Sequence, residues 1–337
     1  MTQRVLFFDL LRCLAAIAVV LIHALGPYRH LMGDIPFEHW SIAVGLNSVS
    51  RWAVPIFIMI TGALLLSDAR PFQAKVFFQK RFAKVLIPFF VWSAFYAVFS
   101  GWTSGGFDWQ PVTQALGEFI HHETYYHLGF FYYFLPLYFL VPIYRWIITQ
   151  HGETGIWLFI AIWLFTTALF LLDVDGPWSN QIWLFSGYLM LGYALYQVTP
   201  LTGRNLSLAV SFGVFSLLAT IYWVIAGSVE NGEYTVGRWL SYKTLNTVLA
   251  ASMIFIMCRK FADGLSRSAL KVIAFISRYS LGIYLLHPIF LWPLYQLELP
   301  LLHPLVGLPL WVIFSGGAAL FSSWWLSKYK ATAWLVP

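Results

Sequence analysis

Residues 7 to 26, "FFDLLRCLAAIAVVLIHALG", are apolar enough to cross a bilayer, yet they carry Asp9, Arg12 and His23. An ionisable side chain at mid-membrane costs roughly 2.5–3.5 kcal/mol on insertion scales, so three in one span need partners or a function. The composition around this stretch points the same way. Of 337 residues, 60% are hydrophobic and 10% charged, with 17 Trp, whereas a soluble domain carries about 25% charged residues. These values define an all-α polytopic membrane protein. The net charge of +6 does not indicate nucleic acid, because in such a chain the placement of cations relative to the spans outweighs their total.

Apolar runs of helical length predict a bundle of about ten transmembrane helices, at 5–25, 46–66, 84–101, 128–148, 155–172, 181–197, 205–226, 243–258, 275–294 and 305–327. The connecting segments alternate in charge. One side collects Arg4, Arg70, Lys75, Lys80, Arg81, Lys84, Arg145, Arg204, Arg259, Lys260, Arg267, Lys271, Lys328 and Lys330. The other collects Asp34, Glu38, Asp108, Glu118, Glu123, Asp173, Asp175, Glu230, Glu233 and Glu298, with only Arg29, Arg238 and Lys243 as cations. The positive-inside rule then makes both termini cytoplasmic, which requires an even helix count. No repeat or appended soluble region is visible, so residues 1–337 read as one transmembrane domain. Cys13 and Cys258 fall inside predicted spans and imply no disulfide framework.

With this topology Arg12 lies in the inner half of the first helix and His23 near its outer end. Eleven residues separate them, close to three full turns, so both project from one face about 16 Å apart along the axis. Asp9 stands one turn before Arg12 and is placed to hold it. In "LNSVSRWAVPIFIMITG" (46–62), Arg51 reaches a depth near that of His23, Asn47 shares its face, and Pro55 is expected to bend the helix. In "SRYSLGIYLLHPIF" (277–290), Ser280, Tyr284 and His287 recur at i, i+4 and i+7, stacking hydroxyl, phenol and imidazole on one stripe. "HHETYYHLGFFYYF" (121–134) sets His127 at the outer mouth, and no ligand spacing there supports a metal site. "FQAKVFFQKRFAKVLIP" (72–88) gathers Lys80, Arg81 and Lys84 within little more than one turn on the cytoplasmic side, where they could attract a polyanion. No P-loop or GxGxxG motif accompanies them.

Taken together, Arg12-x(10)-His23 after Asp9, "SRWAVPIFIMITG", "KRFAKVLIP" and "SRYSLGIYLLHP" resemble the acyltransferase-3 family of bacterial membrane acyltransferases. The resemblance runs across almost the whole chain. It is strongest to the stand-alone O-acetyltransferases, of the enterobacterial common antigen type, which lack a fused esterase-like domain. Where the family often shows R-x-x-R at the start of the third helix, this chain has Arg81-x-x-Lys84, which keeps the charge but loses one planar fork.

The resemblance implies transfer of an acyl group, usually acetyl from acetyl-CoA, to a sugar hydroxyl of a cell-envelope glycan or lipid-linked sugar, in the bacterial inner membrane and with no permanently bound cofactor. On that reading Lys80, Arg81 and Lys84 take the phosphates of CoA, and Arg12 lies along its pantetheine arm. His23 serves as general base. Arg51, Tyr284 or His287 assists the oxyanion or holds the sugar, and His127, Asn47 and Ser280 contact the acceptor. Two other classes also place charges within a bilayer: a proton-coupled transporter, which would show inverted repeats with paired broken helices, and a glycan flippase, which needs no cation cluster aligned with Arg12 and His23. Among acyltransferases, a succinyl donor or a different acceptor stays open.

Overall fold

The computed structural model describes residues 6–297 and 299–336. Arg4 and Glu298 of the charge pattern lie outside the described residues. The chain forms α1 (Leu6–Ala24), a single turn α2 (Gly26–Arg29), α3 (Phe37–Ser50), α4 (Ala53–Leu66), α5 (Ala74–Arg81), α6 (Ile87–Phe99) and α7 (Trp109–Glu118). It continues with α8 (Gly129–Leu137), α9 (Val141–Leu171), α10 (Gln181–Tyr193), α11 (Gly203–Asn231) and α12 (Leu245–Phe261), then α13 (Arg267–Arg278), α14 (Ser280–Gln296) and α15 (Pro304–Leu326). A two-residue hairpin pairs Trp102 with Phe107. This is an all-α polytopic membrane protein.

All ten predicted segments fall on helix, but among the described residues seven helical stretches are long and apolar enough to cross a bilayer, or up to eight when α13 and α14 count as one bent span. Two expected spans share the 46-residue stretch Tyr126–Leu171. Within it Gly152 has a left-handed φ of 55° that divides α9 into two helices. The span expected at 275–294 begins instead at Ser280, because α13 turns away from α14 by 70°. Arg267, Lys271 and Arg278 share one face of α13, with Val272 and Phe275 exposed beside them. That distribution suits a helix lying along a membrane surface rather than through it.

Pro55 disturbs its helix as expected, one turn before its own position. A proline cannot donate to the carbonyl four residues earlier, here that of Arg51. The ladder accordingly breaks at Arg51–Trp52 between α3 and α4, and resumes with Ile56 N–H donating to the Trp52 carbonyl at 3.2 Å. Elsewhere hydroxyls inside the helices satisfy themselves on carbonyls four residues back, as Ser48 does on Val44 and Thr61 on Phe57.

Helix α1 sits at the centre and packs against α3, α4, α12, α13, α14 and α15. Of its membrane window 61% is buried, and 67% of that of Phe37–Leu66, against 22% for both α11 and α15. The outer helices therefore spend large apolar side chains such as Phe215 and Ile313 on lipid, leaving α1 and α4 to carry internal polar groups. Helix α4 meets α10 at two reciprocal glycines. A Cβ on Gly62 would fall 2.0 Å from the Leu189 carbonyl oxygen, and one on Gly192 would fall 2.1 Å from that of Met59. Such close backbone approach is how helices associate where lipid removes the hydrophobic drive.

Gly62→Ala and Gly192→Ala should each destabilise the protein by at least about 1–3 kcal/mol, the usual range for overpacking. Gly45→Ala, with nothing within 4 Å of its new Cβ, should leave thermal unfolding in detergent unchanged.

Candidate active site

Three cavities run end to end through the bundle. The first, about 360 Å³, is lined by Arg70, Lys80, Arg81 and Arg145 together with Asp68, Phe72 and Phe77. The second, about 290 Å³, is largely apolar, with Phe57, Phe130, Phe134 and Tyr138 around Arg12, Thr61 and Ser280. The third, about 300 Å³, holds His23, His127, Arg51 and Lys243 among Tyr126, Tyr133, Tyr242, Ser241 and Gln181. Leu65 and Arg81 line both the first and second cavities. Val54, Phe130 and Tyr284 line both the second and third. A cationic chamber is thus joined to a polar histidine chamber by an apolar one.

The cationic chamber is built on the segment between α4 and α5. Arg145, from the start of α9, donates through Nη2 to the carbonyls of Asp68 and Arg70, at 2.7 Å each, and so ties that segment to the bundle. Asp68 is the chamber's one lining carboxylate. Its Oδ1 accepts from Arg70 Nε at 2.8 Å, and the side-chain hydrogen bond from Arg70 pulls its pKa down to about 2. Folding thus favours the ionised form. That contribution is complete above the ordinary carboxylate value near 3.8 and fades only as pH falls from there towards about 2. Arg81 joins this chamber to the next. Lys84 stands on the exposed side of the π-helical turn Phe82–Leu86 and lines neither cavity.

At the opposite end two imidazoles meet. His23 Nδ1 lies 2.7 Å from His287 Nε2, with the rings stacked at 4.9 Å and 13°. The tautomers follow from the partners. His287 Nδ1 faces the Ile283 carbonyl at 3.1 Å, and a carbonyl only accepts, so Nδ1 carries the proton. Nε2 of His287 is then a lone pair that accepts from His23 Nδ1–H. What remains is His23 Nε2, an unprotonated nitrogen on a side chain lining the third cavity. Backbone bonds fix both residues. Tyr295 donates its hydroxyl to the His23 carbonyl at 2.6 Å, and Ser315 donates to that of His287 at 2.9 Å.

The other sequence candidates are distributed along the path. Asp9 is buried, lies 3.9 Å from Arg12, and accepts from the Ser277 hydroxyl at 2.6 Å. Arg12 and Ser280 line the middle cavity. Tyr284 lines both the middle and the outer cavity, and its hydroxyl donates to the His127 carbonyl. That donor is committed to the backbone and is not free for an oxyanion. The His127 ring is buried beside Tyr96 and His287, and neither nitrogen has a hydrogen-bond partner of normal geometry. Asn47 Nδ2 reaches the Tyr234 hydroxyl at 3.5 Å and stands outside the three linings. Arg51 donates from Nε to the Leu240 carbonyl at 2.7 Å and lays its guanidinium over Tyr242 at 4.1 Å. The sequence reading did not place Arg70, Arg145, Gln181 or Lys243 in the site. The only local signal was for Lys243, a cation on an otherwise acidic side.

A family model described as an acyltransferase domain, that of acyltransferase 3, matches residues 5–328. The chain belongs to the acyltransferase-3 family. It is therefore a membrane acyltransferase, and the three joined cavities are its candidate active site. No curated protein and no solved structure matches it.

His287→Ala removes the acceptor that fixes the His23 tautomer and should lower acyl-transfer turnover by roughly 10²-fold, within the range for general-base catalysis. His287→Gln, whose amide oxygen can stand near Nε2, should recover part of the loss. Donor KM should stay unchanged in both variants, as steady-state kinetics would register.

Proposed function

We propose that the protein is an O-acetyltransferase of the bacterial inner membrane, with both termini cytoplasmic, that passes acetyl from cytoplasmic acetyl-CoA to a sugar hydroxyl of an envelope glycan. The observation that carries this reading is the sequence of joined cavities, from Arg70, Lys80, Arg81 and Arg145 at one end to His23 at the other. CoA has the matching anatomy. Its nucleotide end is a polyanion suited to a cluster of guanidinium forks, and its pantetheine arm is slender and uncharged enough for an apolar passage. The excess of Lys and Arg in segments on the donor side supports the orientation.

The reaction then needs one base and no metal. His23 Nε2 takes the proton of the acceptor hydroxyl as its oxygen attacks the thioester carbonyl carbon. The tetrahedral oxyanion collapses with breakage of the C–S bond. The imidazolium returns its proton to the departing thiolate, giving an acetyl ester and free CoA. During the charged interval His287 accepts the hydrogen bond from Nδ1 and keeps the ring oriented, as the third member of a hydrolytic triad does. The buried ring of His127, which lines the same cavity, supplies a donor near the developing charge.

Purified protein in proteoliposomes, given labelled acetyl-CoA and envelope glycans, should transfer label to glycan. Transfer undiminished in His23→Ala would remove the proposed base, and no acetyl-CoA turnover with any acceptor would remove the activity itself. Arg81→Ala combined with Arg145→Ala should weaken CoA binding by at least tenfold, about 1.4 kcal/mol. Asp68→Asn should tighten CoA binding, equally at pH 5 and pH 8, because a carboxylate held at about 2 is ionised at both. Calorimetric titration measures both effects.

A further inference from the structure

The outer chamber holds a charge imbalance that the transfer chemistry leaves unexplained. Among the described residues Arg51 and Lys243 line it, and no Asp or Glu does. Neither cation belongs to an ion pair among the described residues. Arg51 commits Nε to the Leu240 carbonyl and one face of its guanidinium to the Tyr242 ring, while its two Nη groups make no hydrogen bond among the described residues. The ammonium of Lys243 lies 4.9 Å from the Phe170 ring and likewise makes no hydrogen bond among the described residues.

The neighbouring cation is treated differently. Arg238 holds Asp173 at 2.7 Å and Asp175 at 2.5 Å, and also donates to the Phe170 carbonyl. Both carboxylates form their ion pairs with Arg238, and Asp175 reaches Lys243 only as a longer-range attraction. On a side whose connecting segments are otherwise acidic, two cations that line one cavity without a contacting carboxylate favour a bound anion there. The donor's phosphates have their own cluster at the far end, beyond the apolar cavity. The remaining lining of the outer chamber is suited to a carbohydrate: aromatic faces from Tyr126, Tyr133 and Tyr242, and neutral donors and acceptors from Ser241 and Gln181.

We infer that the acceptor is an anionic sugar, whose oxyanion is bound by the Arg51 fork and the Lys243 ammonium while a hydroxyl of the same or the adjoining residue faces His23. This rests on the acceptor site assigned above and narrows its substrate class. The oxyanion has two possible sources, the carboxylate of a hexuronic acid or the phosphate of a sugar phosphate, and both present a pair of oxygens that a guanidinium can bind in bidentate fashion.

Binding of simple probes separates this inference from the transferase reading, because it needs no turnover. Methyl glucuronoside, glucose 1-phosphate and neutral methyl glucoside would be titrated into proteoliposome-embedded protein and followed by tryptophan fluorescence. At least one anionic probe should bind tenfold or more tighter than methyl glucoside, and the better of the two names the source. Arg51→Gln and Lys243→Gln should each abolish that preference while CoA affinity stays at the wild-type value, which also shows that the variants are folded. Equal affinity for charged and neutral probes, or a preference that survives both substitutions, would overturn the inference. Charge-selective binding without acetyl transfer to any acceptor would uphold it and overturn the transferase reading alone.

Discussion

Hydrocarbon cannot solvate a charge, and that constraint orders this molecule. Every ionisable group within a span must face a partner or a cavity, so the positions of Asp9, Arg12, His23 and His287 require the bundle to be hollow along α1. The arrangement follows. Asp9 answers Arg12 and Ser277, the two histidines answer each other, and the lipid-facing helices α11 and α15 keep no charge inside their apolar windows. The same constraint explains the close approach of α4 and α10, since helices without a hydrophobic drive associate through backbone proximity.

Much of this was legible from residue spacing. The eleven-residue interval between Arg12 and His23 and the i, i+4, i+7 stripe of Ser280, Tyr284 and His287 are local facts of helical geometry. Arg12, His23, Ser280 and Tyr284 line the cavities and His287 stands behind His23, because the helices are regular where they occur. What could not be read are contacts between distant segments. Arg145 reaches carbonyls 75 and 77 residues away, and no local pattern separates it from the other cations that orient the chain. The direct contact of His23 with His287 spans 264 residues. Spacing places the two at similar depth but says nothing of their azimuth around the bundle.

Spacing misled where irregular helix intervened. Lys84 looks like part of a convergent cluster if the third span is an ideal α-helix, but the π-helical turn Phe82–Leu86 carries it away from the cavities that Arg81 joins. The break at Arg51–Trp52 works in the opposite direction. By opening the ladder one turn before Pro55 it supplies the place where a long cation leaves the helix to reach Leu240 and Tyr242. The span predicted at 275–294 failed at its start for a related reason: continuity of apolar sequence does not reveal a 70° turn between two well-formed helices.

The residues shared between neighbouring cavities are also the limits of what can pass. Leu65 with Arg81 and Val54 with Phe130 and Tyr284 border the two junctions, so neither a nucleotide nor a sugar need change sides for the proposed reaction to occur. In the proposed reaction the uncharged pantetheine arm carries the acyl group through the apolar cavity, and as the acyl group passes to the sugar a proton passes from the sugar hydroxyl to the thiolate, so no net charge is transferred. The membrane voltage would then have no net charge to act on in that step, so the proposed transfer draws on no ion gradient.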